Sequence, residues 1–433
     1  MVKSFKLYDS NCPTFDNNYK VVDQVVMNFT NIGGNNNKFY VMELQEAKGS
    51  FRVFTHYGRV GAEGTKEARF FDSEKDSAEK EFKRLFNEKS KKGYCPVDIA
   101  QAAVGSGKVE SKLQPRASKS CSLDERVQKF VDQIYKEASK SLSDSIMTPL
   151  GALSETQIEK GCLKLEEIRT ALQYSDKKVL TELSSQFYTL IPQRFYGKID
   201  DSVVIDDEQK ADRQEELLQL MKDVYNVKDN LESEIMQKYA AINAKIEPLD
   251  NSDREFKLIE KKVESTESPH HKVHLHINNI YRAVLNSTNR RFNPNRLEQM
   301  ELFHGSANRN ILGILQRGLL IAPPCANHNG SAFGRGIYFA RHSTKSAQYS
   351  TAFYKSTGSN GFLFIADVAV GRMQKIKNYT WGKKLPEQGY DSVLGVKGAD
   401  LIHDEFIVYN PNQVEINYVI DFEPRKKKRW RFF

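Results

Sequence analysis

Three short segments in the C-terminal half hold side chains able to do chemistry together. They are Phe303-His304-Gly305-Ser306, Phe333-Gly334-Arg335-Gly336-Ile337-Tyr338-Phe339-Ala340 and Asp404-Glu405-Phe406-Ile407-Val408-Tyr409. Lys345-Ser346-Ala347-Gln348-Tyr349 lies between the second and third. The residue types supply hydrogen bonds, aromatic stacking faces and one carboxylate, tools that can break a bond without a metal. Singly, each has a plainer reading: Tyr338 as a core aromatic in a strand, Glu405 as a solvent-facing strand residue. The run His270-His271-Lys272-Val273-His274-Leu275-His276 invites a metal reading. Alternation puts His274 and His276 on one strand face, but no carboxylate or Cys accompanies them at ligand spacing, so a polar strand face is expected. No Gly-x-Gly-x-x-Gly follows a strand, and a Rossmann nicotinamide site is not supported.

Taken in order, the three segments resemble the His-Tyr-Glu triad of poly(ADP-ribose) polymerases, which split NAD+ and transfer its ADP-ribose. The resemblance implies NAD+ as substrate, no metal, and catalysis by Glu405 with His304 and Tyr338. Gly305 and Ser346 would bind the nicotinamide carboxamide, Tyr338 and Tyr349 would flank the ring, and His304 with Ser306 would meet the adenosine ribose. The Glu405 carboxylate would bind the 2′-hydroxyl of the nicotinamide ribose and favour positive charge developing next door, a contact that strengthens in the transition state. It would also polarise the hydroxyl of an incoming ADP-ribose, which makes polymer formation the leading expectation. A mono-ADP-ribosyltransferase and a DNA-end-binding scaffold with an inactive transferase domain are the alternatives.

The elements that must position these residues read as a multidomain α+β chain. Phe39–Leu44 and Phe51–Tyr57 are strand-like about a turn at Gly49-Ser50, and Asp72 is placed to cap a helix with Ala78, Phe82, Leu85 and Phe86 on one face. Residues 1–104 thus form a small β-rich domain, and residues 105–120 a polar linker. Residues 121–230 turn helical: Leu123, Val127, Phe130, Val131 and Ile134 repeat at helix spacing. Ile158, Cys162, Leu165, Ile168 and Leu172 do so after a capping box of Ser154 and Gln157. Val179, Leu180, Leu183 and Phe187 give a third helix; Leu217, Leu218, Met221, Val224 and Tyr225 give a later one. From 231 to 433, strand runs at Lys272–Ile277, Phe362–Val370, Phe406–Tyr409 and Val414–Phe422 indicate a mixed, mostly antiparallel β domain.

The resemblance extends along these segments. Asn31–Tyr40 with Tyr57-Gly58-Arg59-Val60-Gly61 looks like the WGR domain of DNA-dependent members, and implies DNA ends or nicks as partners through Tyr57 and Arg59. Pro149–Ser154 and Phe187–Pro192 look like their helical regulatory domain. By resemblance that domain restrains the NAD+ site, with Asp223 near the adenosine end, until DNA binding loosens it. Tyr57 stands where the signature Trp is usual, Leu320 where an Arg is common near adenosine, and Ser331 where a Tyr is common. The stretch from Gly389 to Glu405 is shorter than the acceptor-side loop of the nuclear polymerases. Acceptor proteins, the chain itself included, are expected.

Composition agrees with a soluble protein. Of 433 residues, 39% are hydrophobic and 28% charged, and no apolar run approaches the ~20 residues of a membrane-spanning helix. No oligomer is indicated. The start of the chain lacks the apolar core of a secretory leader. Cys12, Cys95, Cys121, Cys162 and Cys325 form no CxxC pair, which fits a reducing compartment and argues against zinc fingers. Residues 1–120 carry 20 basic and 15 acidic side chains, net +5; residues 121–230 carry 15 and 21, net −6; residues 231–433 carry 29 and 20, net +9. A basic front end suits phosphates. The basic run from Arg425 to Arg431 is expected to act as a nuclear import signal.

Overall fold

The structure, a computed structural model, describes residues 2–100, 123–145, 152–195, 197–225, 234–289, 292, 297–321, 332–353, 360–380 and 386–427. The linker expected over 105–120, Cys121, Cys325, Ser331 and the tail beyond Lys427 lie outside them. The chain divides into two compact units, residues 1–114 with 142–225, and residues 115–141 with 226–433.

In the first unit, β1 (Phe5–Lys6), β2 (Lys20–Asn31), β3 (Asn36–Ala47), β4 (Ser50–Arg59), β5 (Thr65–Phe71) and β6 (Cys95–Pro96) pair antiparallel in the order β1-β5-β4-β3-β2-β6. Alternate residues Met27, Tyr40, Met42, Leu44 and Val53 pack under Ala78, Phe82 and Leu85 of α1 (Lys75–Lys91). Two sequence expectations shift here. The β3–β4 turn is Lys48-Gly49, not Gly49-Ser50, with φ of +50° and +83°. Two positive φ values match the right-handed twist of a two-residue hairpin, which Ser50 in the turn would not supply. Asp72 does not cap α1; Glu74 occupies the N-cap position without a side-chain cap hydrogen bond.

Strand β7 (Ile99–Ala100) leads toward the helical region, whose first helix, α2 (Glu125–Ser145), belongs through residue 141 with the second unit. Strand β8 (Ala152–Leu153) pairs with β7, and α3 (Glu155–Leu172), α4 (Lys177–Leu190) and α5 (Glu208–Tyr225) follow. Ile158, Leu165, Ile168, Leu180, Phe187, Leu218 and Met221 bury the expected stripes, while Val179 points out. Ser154 does cap α3, its Oγ accepting from Gln157 N at 3.1 Å. The return half of the capping box is missing, because the Gln157 side chain bonds Asp98 N and the Leu190 carbonyl instead. That exchange fastens the start of α3 to the end of α4.

The second unit continues with α6 (Glu234–Ile242), β9 (Ala244–Pro248), α7 (Arg254–Ser265), β10 (Val273–Leu285), α8 (Asn286–Asn289), β11 (Gln299–Gly305), α9 (Ile311–Arg317), β12 (Ile337–Phe339), α10 (Ser343–Ala347), β13 (Gly361–Ala369), β14 (Met373–Ile376), β15 (Ser392–Gly395), β16 (Glu405–Val408) and β17 (Val414–Lys426). Two sheets result, ordered β11-β13-β17-β10-β9 and β12-β16-β15-β14, antiparallel but for the parallel pair β14–β15. Phe256, Ile259 and Val263 of α7 cover the first sheet at Leu275, Phe303, Leu363 and Ile420. Helix α2 packs through Phe130, which stacks on Tyr281 at 4.7 Å and meets Phe362 edge-on at 5.4 Å. The Tyr281 hydroxyl donates to the Arg126 carbonyl, and Arg126 pairs with Asp250 at 2.9 Å. Sequence periodicity predicted the helix but not which core it would join.

Deleting a buried aromatic costs about 3–5 kcal/mol. Phe130→Ala should therefore lower the unfolding midpoint of the full chain markedly, whereas Val179→Ala, at an exposed site, should change stability by less than about 0.5 kcal/mol. Calorimetry of both variants checks this; a Phe130→Ala midpoint equal to wild type would separate α2 from the sheet.

Candidate active site

The two sheets of the second unit meet at one antiparallel bridge, where Phe303 N donates to Ala340 O at 2.9 Å and Ala340 N to Phe303 O at 3.0 Å. That bridge sets His304, at the end of β11, beside β12. The His304 Nδ1–H donates to the Tyr338 carbonyl at 2.9 Å. A carbonyl only accepts, so this bond puts a proton on Nδ1 and fixes the ring's orientation.

Gly305 comes next, and a β-carbon there would overlap the backbone carbonyl of Ser346. Glycine at this position lets α10 lie directly against the end of β11. Ser346, 4% exposed, donates its hydroxyl to the Phe303 carbonyl at 2.8 Å. Tyr338 is held from behind: its hydroxyl donates to the Gly334 carbonyl at 2.6 Å and accepts from Phe333 N at 3.0 Å. Burial drives that phenol far above its usual pKa, with smaller contributions from Tyr409, Glu405 and Tyr349, so it remains protonated.

Glu405 opens β16 and is 5% exposed. Its partner across the ladder on β15 is Gly395, where a β-carbon would strike Phe333. Lys345 of α10 reaches its Oε1 at 2.7 Å, and the same ammonium lies 3.3 Å from the Tyr349 hydroxyl. Burial pulls the Lys345 ammonium down, but the Glu405 carboxylate and Tyr349 outweigh it and hold the pKa above its ordinary value. The other oxygen of Glu405, Oε2, is buried and lacks a hydrogen-bond partner. A carboxylate oxygen left bare in a protein interior costs about 1–3 kcal/mol or more, which a donor hydroxyl on a ligand would recover. Asp404 faces the other way and accepts from Lys397 N.

The structure thus brings together His304 with Tyr338, Gly305 with Ser346, and Tyr349 with Glu405 through Lys345. Ser306 lies just beyond, its Oγ accepting from Asn310 Nδ2 at 3.2 Å. Lys345 is the member the sequence argument missed. A lysine four residues before a tyrosine on a short helix reads as solvated, and only the fold sets it against a buried carboxylate. His274 finds a carboxylate too: its Nδ1 lies 2.9 Å from Glu267 Oε1, a hydrogen-bonded strand-face pair. Leu320 is exposed.

Three proposed contacts lie in the first unit. Tyr57 is half-buried, stacked on Tyr40 at 5.6 Å, and donates its hydroxyl to Glu67 at 2.8 Å. Burial, reinforced by Glu67, pushes this phenol up to about 12. Arg59 donates to the Asn35 carbonyl, Asn35 Oδ1 and the Gly197 carbonyl at 3.0–3.2 Å. Asp223 is buried on α5 and accepts from Gln219 at 2.9 Å.

Removing one partner of a buried ion pair costs about 3–5 kcal/mol, because the other charge is stranded. Lys345→Met should destabilise by that order, and Lys345→Met with Glu405→Gln should recover most of the loss. A double-mutant cycle of unfolding midpoints reads the coupling; additive losses would mean the pair is not buried as described.

The profile of the poly(ADP-ribose) polymerase catalytic domain matches residues 253–401, that of the WGR domain residues 23–101, and that of the poly(ADP-ribose) polymerase regulatory domain residues 121–252. Poly [ADP-ribose] polymerase 2 of Arabidopsis thaliana is 30% identical over 92% of this chain and 72% of its own length. Poly [ADP-ribose] polymerase 2 of Homo sapiens is 27% identical over 94% and 81%. The protein mono-ADP-ribosyltransferase PARP3 of Homo sapiens is 30% identical over 89% and 79%.

Proposed function

The chain belongs to the poly(ADP-ribose) polymerase family and is an NAD+ ADP-ribosyltransferase; from that premise we propose that it is a DNA-break-activated polymerase in which Glu405 is the catalytic carboxylate. The observation that carries the assignment of Glu405 is its bare, buried Oε2 beside an oxygen already held by Lys345.

The nicotinamide nitrogen leaves with the electron pair of its bond to C1′, and an acceptor oxygen attacks that carbon. Positive charge rises on the ribose in between. Glu405 Oε2 accepts the 2′-hydroxyl of that ribose, and its negative charge stabilises the cation more than the ground state. Lys345 holds the carboxylate in one orientation, so nothing reorganises as the bond breaks. Gly305 and Ser346 take the carboxamide, Tyr349 and Tyr338 flank the ring and limit its rotation, and His304 with Ser306 takes the adenosine ribose. A mono-transferase is the second reading, favoured by the short stretch from Gly389 to Glu405 and by the similarity to a mono-ADP-ribosyltransferase. Losing one preorganised electrostatic contact typically costs 10²–10³-fold in kcat. Glu405→Gln, assayed at a temperature where the variant remains folded, should therefore lower NAD+ turnover by about that factor. Incorporation of labelled NAD+ with and without a blunt duplex tests the whole reading. DNA-stimulated polymer supports it, a single short product keeps only the transferase, and no product leaves a scaffold.

For activation, residues 1–104 bind the DNA end through Tyr57 and Arg59, and the helical segment restrains the NAD+ site until they do. The seam inside the first unit supports such a link. Asn28 of β2, 1% exposed, donates to the Tyr188 and Thr189 carbonyls at the end of α4, Thr30 N donates to Thr189 Oγ1, and Asn37 donates to the Gln193 carbonyl. A strand side chain therefore caps the C-terminus of a helix in the next segment. A phosphate that drew Arg59 away would also release the Gly197 carbonyl. Allosteric couplings are typically 1–3 kcal/mol. Asn28→Ala should accordingly reduce the ratio of DNA-stimulated to basal turnover by about fivefold or more, with DNA affinity preserved. An unchanged ratio would exclude this seam as the route. The basic run after Glu423 is assigned as a nuclear import signal.

A further inference from the structure

We propose that Tyr409 is a positioning residue: its hydroxyl fixes the Phe333-Gly334 turn to which Tyr338 is tied, and through that turn it registers the nicotinamide-facing ring against Glu405. The proposal rests on the reading of Tyr338 as a wall of the nicotinamide site and of Glu405 as the reacting carboxylate.

The turn before β12 is held by side-chain hydroxyls at consecutive backbone groups. Phe333 N donates to the Tyr338 hydroxyl at 3.0 Å, and that hydroxyl donates in turn to the Gly334 carbonyl at 2.6 Å. Between these two groups lies the Phe333 carbonyl, which accepts from the Tyr409 hydroxyl at 2.7 Å. Just before them, the Ala332 carbonyl accepts from Thr380 N at 2.8 Å. A carbonyl only accepts, so each phenol donates its single hydrogen to this turn. Gly334 stands at φ +80°, a left-handed conformation that strains a residue with a β-carbon and suits glycine. Ala332, Phe333 and Gly334 belong to no strand, so these bonds, and not a ladder, set their backbone.

The same turn is pressed onto the segment that carries Glu405. Tyr409 follows β16 directly and is 8% exposed. Phe333 is fully buried, and its ring lies against Gly395, where a β-carbon would strike it. Gly395 in turn pairs with Glu405 across the β15–β16 ladder. Phe333, Val393, Ile407 and Tyr409 share one core, with Tyr338 packed against it. One buried turn therefore touches both the ring that would face nicotinamide and the strands that place the carboxylate. Tyr338 is held at both ends. Its backbone pairs with Ile407 of β16, and its hydroxyl is bound to the turn. An aromatic wall fixed in this way limits the rotation of a flat ligand lying against it. Without the Tyr409 hydroxyl, the buried Phe333 carbonyl loses that donor, and the turn that anchors the far end of Tyr338 is released.

The test is inhibition of NAD+ turnover by nicotinamide and by ADP, measured on the full chain with a saturating blunt duplex. ADP carries the adenosine ribose and no nicotinamide. Tyr409→Phe should raise the inhibition constant for nicotinamide about fivefold and change that for ADP less than about twofold. A fold merely loosened by the substitution would weaken both ligands alike, and that outcome overturns the proposal. Tyr338→Phe keeps the ring but drops its tie to the turn, so it should show the same selective loss. The double variant should then lose no more than either single one; losses that multiply to about 25-fold overturn the coupling. Gly395→Ala reaches the turn from the ladder side, with its β-carbon against the Phe333 ring, and provides the check if Tyr409→Phe does not fold. It too should weaken nicotinamide selectively. Tyr338→Ala separates the proposal from the reading beneath it. Weakened nicotinamide in Tyr338→Ala with wild-type affinity in Tyr409→Phe or Gly395→Ala overturns the positioning role. Wild-type affinity in Tyr338→Ala would instead overturn the placement of nicotinamide against that ring.

Discussion

The Lys345–Glu405 ion pair is the interaction on which the transferase unit turns. Taking two charges out of water is expensive, and their attraction repays this only with close geometry and further hydrogen bonds. Here the geometry is close at 2.7 Å and the Tyr349 hydroxyl helps satisfy the lysine, yet Glu405 Oε2 goes without a donor. A protein optimised for stability alone would fill that position. Leaving it bare fits the proposed contact of this carboxylate with a ribose hydroxyl.

Holding such a pair in place requires the surrounding elements to have little freedom. Helix α10 is only five residues long and has no side-chain cap of its own. Its position comes from outside: Gly305 lets the β11 backbone lie against the Ser346 carbonyl, Ser346 bonds back to Phe303, and the connection after α7 grips Ser343 and Thr344. On the other side, the Phe303–Ala340 bridge and the β12–β16–β15 ladder place Glu405 relative to β11. Buried polar groups that are fully bonded rigidify a site, and the exceptions among them stand out as functional.

The first unit follows the same logic with different parts. Asn28, Thr30 and Asn37 are buried polar residues on strands, and their hydrogen bonds run to α4 and to the chain after it. Helix α2, although it falls inside the match to the regulatory domain, packs with the second unit through Phe130 and Arg126. Removal of residues 121–230 as a block would therefore take a core aromatic from the transferase unit along with the helices proposed to restrain it.

The sequence alone determined the mixed α+β character and the helices whose stripes repeat every three to four residues. It also delivered the ordered His304, Tyr338 and Glu405 segments, because periodicity and short motifs are local properties that survive without coordinates. It misplaced the Lys48-Gly49 turn by one residue and credited Asp72 with a cap, since several polar residues near a chain reversal offer similar local energies. Gln157 shows the limit more sharply: its type fits a capping box, but two long-range partners outbid the local one. Lys345 carried no readable signal, for a lysine is an ordinary surface residue until a fold buries it against a carboxylate. Burial and juxtaposition turn a common side chain into a charged partner, and these arise only when residues far apart in the chain are closed into one core.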